Sequence, residues 1–233
     1  MLTQAPIFIS SPVRRSGTTL LQRLYTGTGE AIIFGESVAN DLMVAGQMLQ
    51  MKKQTFVPNR LLRDQMLERV RNGSVNEWIP DLLPPIPDYL NLHEKLLNDL
   101  INGFANEAEK LGRGQWGVKL PEWPIHSLRY WQQRMPESKT IYIVRDLEEC
   151  VASATTIGMI GGDQYTAQFR QIYQQHLAQA KQHLSKETTY FLDYADLVDP
   201  AKANDQLKAL GEFCGLPTLP KEVLAVRVGD YNQ

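Results

Sequence analysis

One short stretch near the amino end of the chain constrains its fold more than any other part. Residues 6–11 (PIFISS) are apolar and partly β-branched, and Pro12 ends the run, which predicts a short buried strand. A turn that contains Gly17 follows, and TTLLQRLYTG then repeats leucines at helical spacing until Gly27 ends the pattern. A strand that leads through a small-residue turn into a helix is typical of α/β proteins.

The same alternation continues along the chain. Further strands are predicted at Ala31–Phe34, Trp116–Leu120, Lys139–Val144 and Thr189–Leu192. Helices are predicted near residues 124–134, after Asp146, and over residues 163–185 and 201–214. Strands that alternate with helices favour a central, mostly parallel sheet with helices on both faces, which is a three-layer α/β sandwich.

The segment 38–113 departs from this alternation and is predicted to be a helical insertion. Helical patterns cover Val38–Lys53, Leu61–Asn72 and Asn91–Leu111, and the proline-rich stretch Trp78–Tyr89 is predicted to be a rigid loop. Because no linker or internal repeat separates this segment from the rest, we expect a single domain over residues 1–233.

Net charge and cysteine content narrow the range of functions. The chain has 24 Lys and Arg against 26 Asp and Glu, which argues against broad binding to nucleic acid or membranes but leaves room for a local anion site. Its two cysteines, Cys150 and Cys214, make neither a disulfide framework nor a zinc pattern. Without a run of 18 apolar residues or the basic region of a signal peptide, the chain is expected to be cytoplasmic and to lack a membrane span.

The turn after the first strand has the features of an anion-binding site. The first backbone N–H groups of a helix have no intrahelical partner, and the helix dipole favours negative charge there. Basic and hydroxyl side chains surround this turn, whereas a turn whose Ser and Thr only cap the helix is the plainer alternative. The candidate ligands are Arg14, Arg15, Ser16, Gly17, Thr18 and Thr19.

This turn differs from the loop that binds nucleoside triphosphates. That loop has the pattern G-x-x-x-x-G-K-[ST], whereas here Thr18 follows Gly17 and Pro12 stands in the first position. The lysine that meets the terminal phosphates is therefore missing, and the turn suits an anion that needs no metal.

A second string, IYIVRDLEECVASA, places a basic residue at the end of a strand. Arg145 ends that strand, and Ser153 lies two helical turns into the following helix, on the same side as its start. Arg145 and Ser153 can therefore converge on one anion, although a surface Arg–Asp pair with a buried Ser is the alternative. Two anion sites at the carboxyl ends of strands suit a ligand with two phosphate groups.

Together the two strings resemble the nucleotide-binding motifs of sulfotransferases that use 3′-phosphoadenosine 5′-phosphosulfate (PAPS). The string Arg-Ser-Gly-Thr-Thr at 15–19 resembles the 5′-phosphosulfate loop of that family, which has Gly and Pro where this chain has Pro12 and Arg14. The string Val-Arg-Asp followed by Ser153 resembles the family's 3′-phosphate signature. The resemblance implies a P-loop-like fold that uses PAPS as the sulfuryl donor and needs no metal.

Two more residues are implied by the same resemblance. Tyr194 in DYADL resembles a family tyrosine that helps to hold the adenine. The tail VRVGDYNQ resembles a loop that covers the 3′-phosphate, which makes Arg227 a candidate ligand.

Sulfuryl transfer requires a base near the acceptor and positive charge near the transferred group. Lys119 stands where many family members have a catalytic histidine, and an ammonium group is a better cation than base at neutral pH. Glu36 follows the second strand in a Phe-Gly-Glu-Ser string that resembles the catalytic Gly-Glu string of tyrosylprotein sulfotransferases. We therefore predict Glu36 as the general base, on a strand end beside the first turn, with Lys119 and Arg15 as catalytic cations.

The sequence thus predicts a PAPS-dependent sulfotransferase whose acceptor carries a hydroxyl or amine. The acceptor class stays open between a small molecule, a glycan, a lipid and a peptide, and the insertion at 38–113 is expected to lie on the acceptor side. No nucleic acid is expected as a partner. The alternatives are a P-loop small-molecule kinase and a non-catalytic nucleotide-binding or interaction protein with the same fold.

Overall fold

The structure is a computed structural model that describes residues 5–74, 76, 78 and 81–226. Five parallel strands form one sheet in the order β2-β3-β1-β4-β5. The strands are β1 (Ile7–Ser10), β2 (Ala31–Phe34), β3 (Gln115–Lys119), β4 (Lys139–Val144) and β5 (Thr189–Asp193). The prediction of an α/β fold with a parallel central sheet is confirmed.

The described residues form nine α-helices and one short 3₁₀ helix, Lys221–Ala225. The α-helices are α1 (Thr18–Gly27), α2 (Glu36–Phe56), α3 (Arg60–Arg71), α4 (Ile86–Lys110), α5 (Ile125–Arg134), α6 (Leu147–Thr156), α7 (Asp163–His183), α8 (Tyr194–Val198) and α9 (Ala203–Phe213). In this described part of the chain, no helix is both long and apolar enough to cross a membrane.

Alternating side chains of β1 show the three layers. Ile7 and Ile9 pack into one apolar cluster with residues of α1 and α9 on the first face of the sheet. Phe8 points to the opposite face, where its ring lies 5.4 Å from that of Trp123 and 6.4 Å from that of Trp131 in α5. Both faces of β1 are covered, which explains why nearly all of its residues are apolar.

The strand order creates a crevice between β1 and β4. The chain leaves β1 through α1 toward β2 at one edge, and it leaves β4 through α6 and α7 toward β5 at the other edge. Ligands of open α/β sheets bind where neighbouring connections diverge in this way, outside the carboxyl ends of the strands. The two predicted anion motifs follow β1 and β4, so both lie at this crevice.

One helix start was predicted wrongly, and one short helix was missed. Helix α4 begins at Ile86, five residues earlier than predicted, so the proline-rich loop is shorter. Pro87 is tolerated in the first turn because the N–H that it lacks would have no intrahelical partner there. The short helix α8 was missed, since five residues carry no periodic signal; Asp193 caps it by accepting a hydrogen bond from the Ala195 N–H.

Within the chain, residues 41–103 form a compact unit, and the residues up to Asn40 and from Phe104 onward form the other. Inside the helical unit, the rings of Phe56 and Tyr89 pack edge to face with centroids 5.6 Å apart. The Ile86 N–H donates to the Asp64 carboxylate at 3.1 Å, which ties the start of α4 to α3. The bounds of this unit fall inside the predicted insertion, and a single domain over residues 1–233 stays a prediction.

Candidate active site

The turn between β1 and α1 is held in shape by its own serines. The hydroxyls of Ser11 and Ser16 both donate to the Val13 carbonyl, at 2.7 and 2.8 Å. Ser16 is fully buried, so its hydroxyl serves the turn rather than an anion, and its predicted ligand role depends on its backbone N–H. The helix begins after Gly17, which has no side chain to accept from the first N–H groups of α1. These N–H groups therefore have no side-chain acceptor, which is the usual condition of an anion-binding helix start. The Thr18 side chain is buried, whereas that of Thr19 is partly exposed.

Gly17 is required by both backbone conformation and space. Its φ of 105° lies in the left-handed region, which strains any residue with a side chain. A Cβ atom there would lie 2.8 Å from Tyr194 Cδ2 and 3.1 Å from Ile143 Cδ1. The ring of Tyr194 is thus packed directly against the turn, although the two residues are far apart in sequence.

The two anion motifs touch each other. Arg15 Nε donates to Ser153 Oγ at 3.1 Å, and Arg145 Nη1 donates to the Arg15 carbonyl at 3.2 Å. Ser153 was predicted to act with Arg145 on one anion, but the structure places its hydroxyl on Arg15. The two predicted sites are therefore adjoining parts of one basic region at the β1–β4 crevice.

Arg145 lies in the wall of a cavity of about 430 Å³ formed by the ends of β4 and β5 and by α6, α7 and α8. Its guanidinium stacks on the Tyr194 ring, 4.6 Å from the centroid, and its Nε donates to the Glu149 carboxylate at 2.9 Å. Tyr173 donates its hydroxyl to the Arg145 carbonyl at 2.8 Å. Burial raises the pKa of Tyr173 to about 12, so this hydroxyl remains a donor at neutral pH.

Glu36 and Lys119 form an ion pair at the carboxyl edge of the sheet. Lys119 Nζ lies 2.7 Å from Glu36 Oε1, with the lysine side chain 9% exposed and the glutamate 41% exposed. Glu36 was expected on a strand end beside the first turn, but β3 lies between β1 and β2. Because β3 separates the two strands, Lys119 stands between Glu36 and the turn along the sheet. In this pair the Glu36 carboxylate is partly exposed, whereas the Lys119 ammonium group is almost buried.

Arg14, another predicted ligand, pairs with Glu122. Its backbone N–H donates to Glu122 Oε1 at 3.1 Å, and its Nε lies 3.8 Å from Glu122 Oε2, with its side chain 54% exposed. The Glu122 N–H in turn donates to the Ser11 carbonyl at 3.0 Å. Glu122 therefore clamps the turn to the segment after β3, a role that sequence analysis did not find.

One predicted ligand, Arg227, lies outside the described residues. The four histidines all lie in helices: His93, His126, His176 and His183. Within residues 5–74, 76, 78 and 81–226, no group of three or more His, Cys, Asp or Glu side chains is arranged to hold a metal ion.

Sequence comparison assigns the chain to a family. Residues 6–220 match the model of the sulfotransferase family, which is most of the chain. The chain belongs to the sulfotransferase family. No curated protein sequence matches it significantly.

Solved sulfotransferase structures share the fold. The sulfotransferase domain of the Synechococcus PCC 7002 olefin synthase is 19% identical, with a TM-score of 0.57. The match spans 97% of this chain and 78% of that one. The sulfotransferase domain from the curacin biosynthetic pathway is 18% identical with a TM-score of 0.53, at the same coverage of both chains. Sulfotransferase STF1 from Mycobacterium tuberculosis is 15% identical with a TM-score of 0.50, covering 98% of this chain and 73% of its own. At these identities the likeness is one of fold alone.

Proposed function

We propose that this protein transfers a sulfuryl group from PAPS to a hydroxyl or amine group of an acceptor. The observation that carries the proposal is the junction of the two anion motifs. Arg15 and Arg145 lie side by side at the crevice between β1 and β4, one joined to the turn before α1 and the other to the end of β4. A ligand with two separated phosphate groups matches two adjoining basic sites better than a single phosphate does.

The residues present fit such a nucleotide. The start of α1, with Arg15, Thr18 and Thr19, would hold the 5′-phosphosulfate, because backbone N–H groups and a guanidinium both favour its negative charge. Arg145 and Ser153 would hold the 3′-phosphate. The Tyr194 ring, packed on Gly17 beside the cavity, offers the adenine an aromatic contact.

Transfer breaks the bond between sulfur and the bridging oxygen of the donor and forms a bond from the acceptor oxygen to sulfur. Glu36 takes the proton that the acceptor hydroxyl loses, since its carboxylate is the exposed partner of the ion pair. Lys119 and Arg15 face the transferring group with positive charge, which stabilises the charge that develops during displacement. In this proposal positioning and electrostatics supply most of the rate enhancement.

Titration calorimetry with the sulfotransfer product 3′-phosphoadenosine 5′-phosphate (PAP), in EDTA without magnesium, tests this proposal. We expect PAP to bind and ATP to bind at least about tenfold more weakly, because the turn lacks the lysine of triphosphate loops. Arg145→Gln should weaken PAP binding roughly 10- to 100-fold, the usual cost of a lost charged hydrogen bond. The matched control is Arg170→Gln, which removes an arginine that pairs with Glu148 on the outer surface of α6.

The opposite preference, tight magnesium-dependent ATP binding without PAP binding, would support a kinase instead. Once PAP binding is established, a screen of phenols, alcohols, sugars, lipids and tyrosine peptides with PAPS identifies the acceptor by the mass of the sulfated product.

A further inference from the structure

Among the residues that the structure describes, Glu149 is the only one whose carboxylate contacts the Arg145 guanidinium. Glu149 Oε2 accepts from Arg145 Nε at 2.9 Å, and both side chains line the cavity beside Tyr194. The arginine is 24% exposed and the glutamate 57% exposed, so the pair is open to the cavity rather than sealed in the core. A ligand that enters the cavity can therefore reach both groups.

Glu149 is not needed to start its helix. The N-cap of α6 is Asp146, whose carboxylate accepts from the Glu149 N–H at 3.0 Å. That bond uses only the backbone of Glu149, so its side chain does not cap α6. The contact that the structure records for the Glu149 carboxylate is the one with Arg145.

A 3′-phosphate and the Glu149 carboxylate would share one guanidinium. Arg145 already commits its Nη1 to the Arg15 carbonyl and its face to the Tyr194 ring, while Glu149 takes its Nε. A bound phosphate carries nearly two negative charges at neutral pH, and like charges that share one guanidinium repel each other. The carboxylate must therefore move away, or the phosphate binds less well.

From this competition we infer that Glu149 is an affinity-determining residue that opposes the nucleotide's 3′-phosphate at Arg145. The inference rests on the proposed function, because it takes Arg145 as the 3′-phosphate ligand. The free protein holds Arg145 with an internal carboxylate, which the 3′-phosphate must either displace or bind beside. Glu149 thereby weakens PAPS binding and speeds the release of PAP.

The neighbouring glutamate provides a matched control. Glu148 carries the same charge one residue earlier, but its carboxylate pairs with Arg170 through two hydrogen bonds of 2.9 and 2.7 Å. Its side chain is 63% exposed, similar to that of Glu149. Glu148→Gln and Glu149→Gln therefore change the net charge equally, and only the second acts on Arg145.

The test is calorimetric titration of the wild type, Glu149→Gln and Glu148→Gln with PAP and with 5′-AMP, which lacks the 3′-phosphate. We expect Glu149→Gln to tighten PAP binding roughly five- to twentyfold, because it removes both a competing ion pair and a repulsion. The affinity for 5′-AMP should stay unchanged in Glu149→Gln, and the PAP affinity should stay unchanged in Glu148→Gln. In stopped-flow displacement, Glu149→Gln should release PAP more slowly by a similar factor.

Each alternative outcome has a distinct meaning. Equal tightening in both variants would show a long-range charge effect and overturn the inference, as would unchanged or weaker PAP binding in Glu149→Gln. Tightening of 5′-AMP by the same factor would also overturn it, because the effect would not involve the 3′-phosphate. If the wild type and both variants fail to bind PAP at all, the proposed function itself is wrong and the inference falls with it.

Discussion

The basic side chains near the anion turn differ in their partners. Three of them each have a carboxylate within ion-pair distance, and the pairs are Arg14 with Glu122, Lys119 with Glu36, and Arg145 with Glu149. Arg15 instead donates to the hydroxyl of Ser153. A guanidinium that faces a neutral hydroxyl attracts an anion more strongly than one that faces a carboxylate. Arg15 is thus the one of these four cations without a carboxylate partner among the described residues, which fits its proposed role toward the 5′-phosphosulfate.

The proposed base can be tested by one isosteric substitution. Glu36→Gln keeps the size of the side chain and an oxygen that can accept from Lys119, but it removes the group that takes the acceptor proton. We expect kcat for sulfuryl transfer to fall about 10²- to 10⁴-fold, with PAP affinity nearly unchanged. The measurement is steady-state transfer to the acceptor found in the screen, paired with calorimetry of PAP.

Glu30→Gln serves as the control for Glu36→Gln. Glu30 is exposed and precedes β2, at the opposite end of that strand from Glu36. Glu30→Gln therefore changes the net charge equally but away from the carboxyl ends of the strands. Activity of Glu36→Gln within a few-fold of the wild type would show that Glu36 is not the base.

Individual elements differ in how far the sequence determined them. The bounds of α1, β2 and β4 match their predictions to the residue, because glycine, proline or a change of periodicity marks their ends. The anion turn was recognisable for the same reason, since strand, glycine and basic residues are neighbours in sequence. The partners Glu122 and Glu149 were not found, because their contacts depend on which elements the fold brings together.

The N-cap of α6 gives an element-level prediction. Asp146→Ala removes the acceptor for the Glu149 N–H and should lower the free energy of unfolding by about 0.5–2 kcal/mol. Asp146→Asn retains a side-chain oxygen at the same place and should lose much less. Chemical denaturation of both variants measures the difference; equal losses would show that the charge, and not the hydrogen bond, stabilises the helix.

For the whole molecule, near-neutral composition and an anion site are compatible. A formal charge of −2 describes the entire chain, whereas the proposed nucleotide needs only a few cations at the crevice between β1 and β4. The fold concentrates these cations by placing two motifs, 130 residues apart in sequence, on adjacent parallel strands.

The stability of the whole molecule should fall in mild acid because of one histidine under the anion turn. Burial lowers the pKa of His176, an effect opposed by the Glu122 carboxylate and by a hydrogen bond with the Pro12 backbone. Its Nδ1 atom is buried without a hydrogen-bond partner among the described residues, so a second proton there has no acceptor. The unfolded chain therefore binds this proton at higher pH than the native protein does.

The destabilisation caused by His176 is therefore absent above the ordinary histidine pKa of about 6.5. It grows as the pH falls below that value, because the unfolded chain then binds the extra proton first. Between pH 7.5 and 5.5, we expect the melting temperature of His176→Gln to fall less than that of the wild type, by about 1–2 °C. His183→Gln, an exposed position in the same helix, should follow the wild type. Differential scanning calorimetry at the two pH values decides the matter: parallel losses in all three proteins would mean that other groups cause the acid sensitivity, and a larger loss in His176→Gln would mean that the protonated ring stabilises the turn.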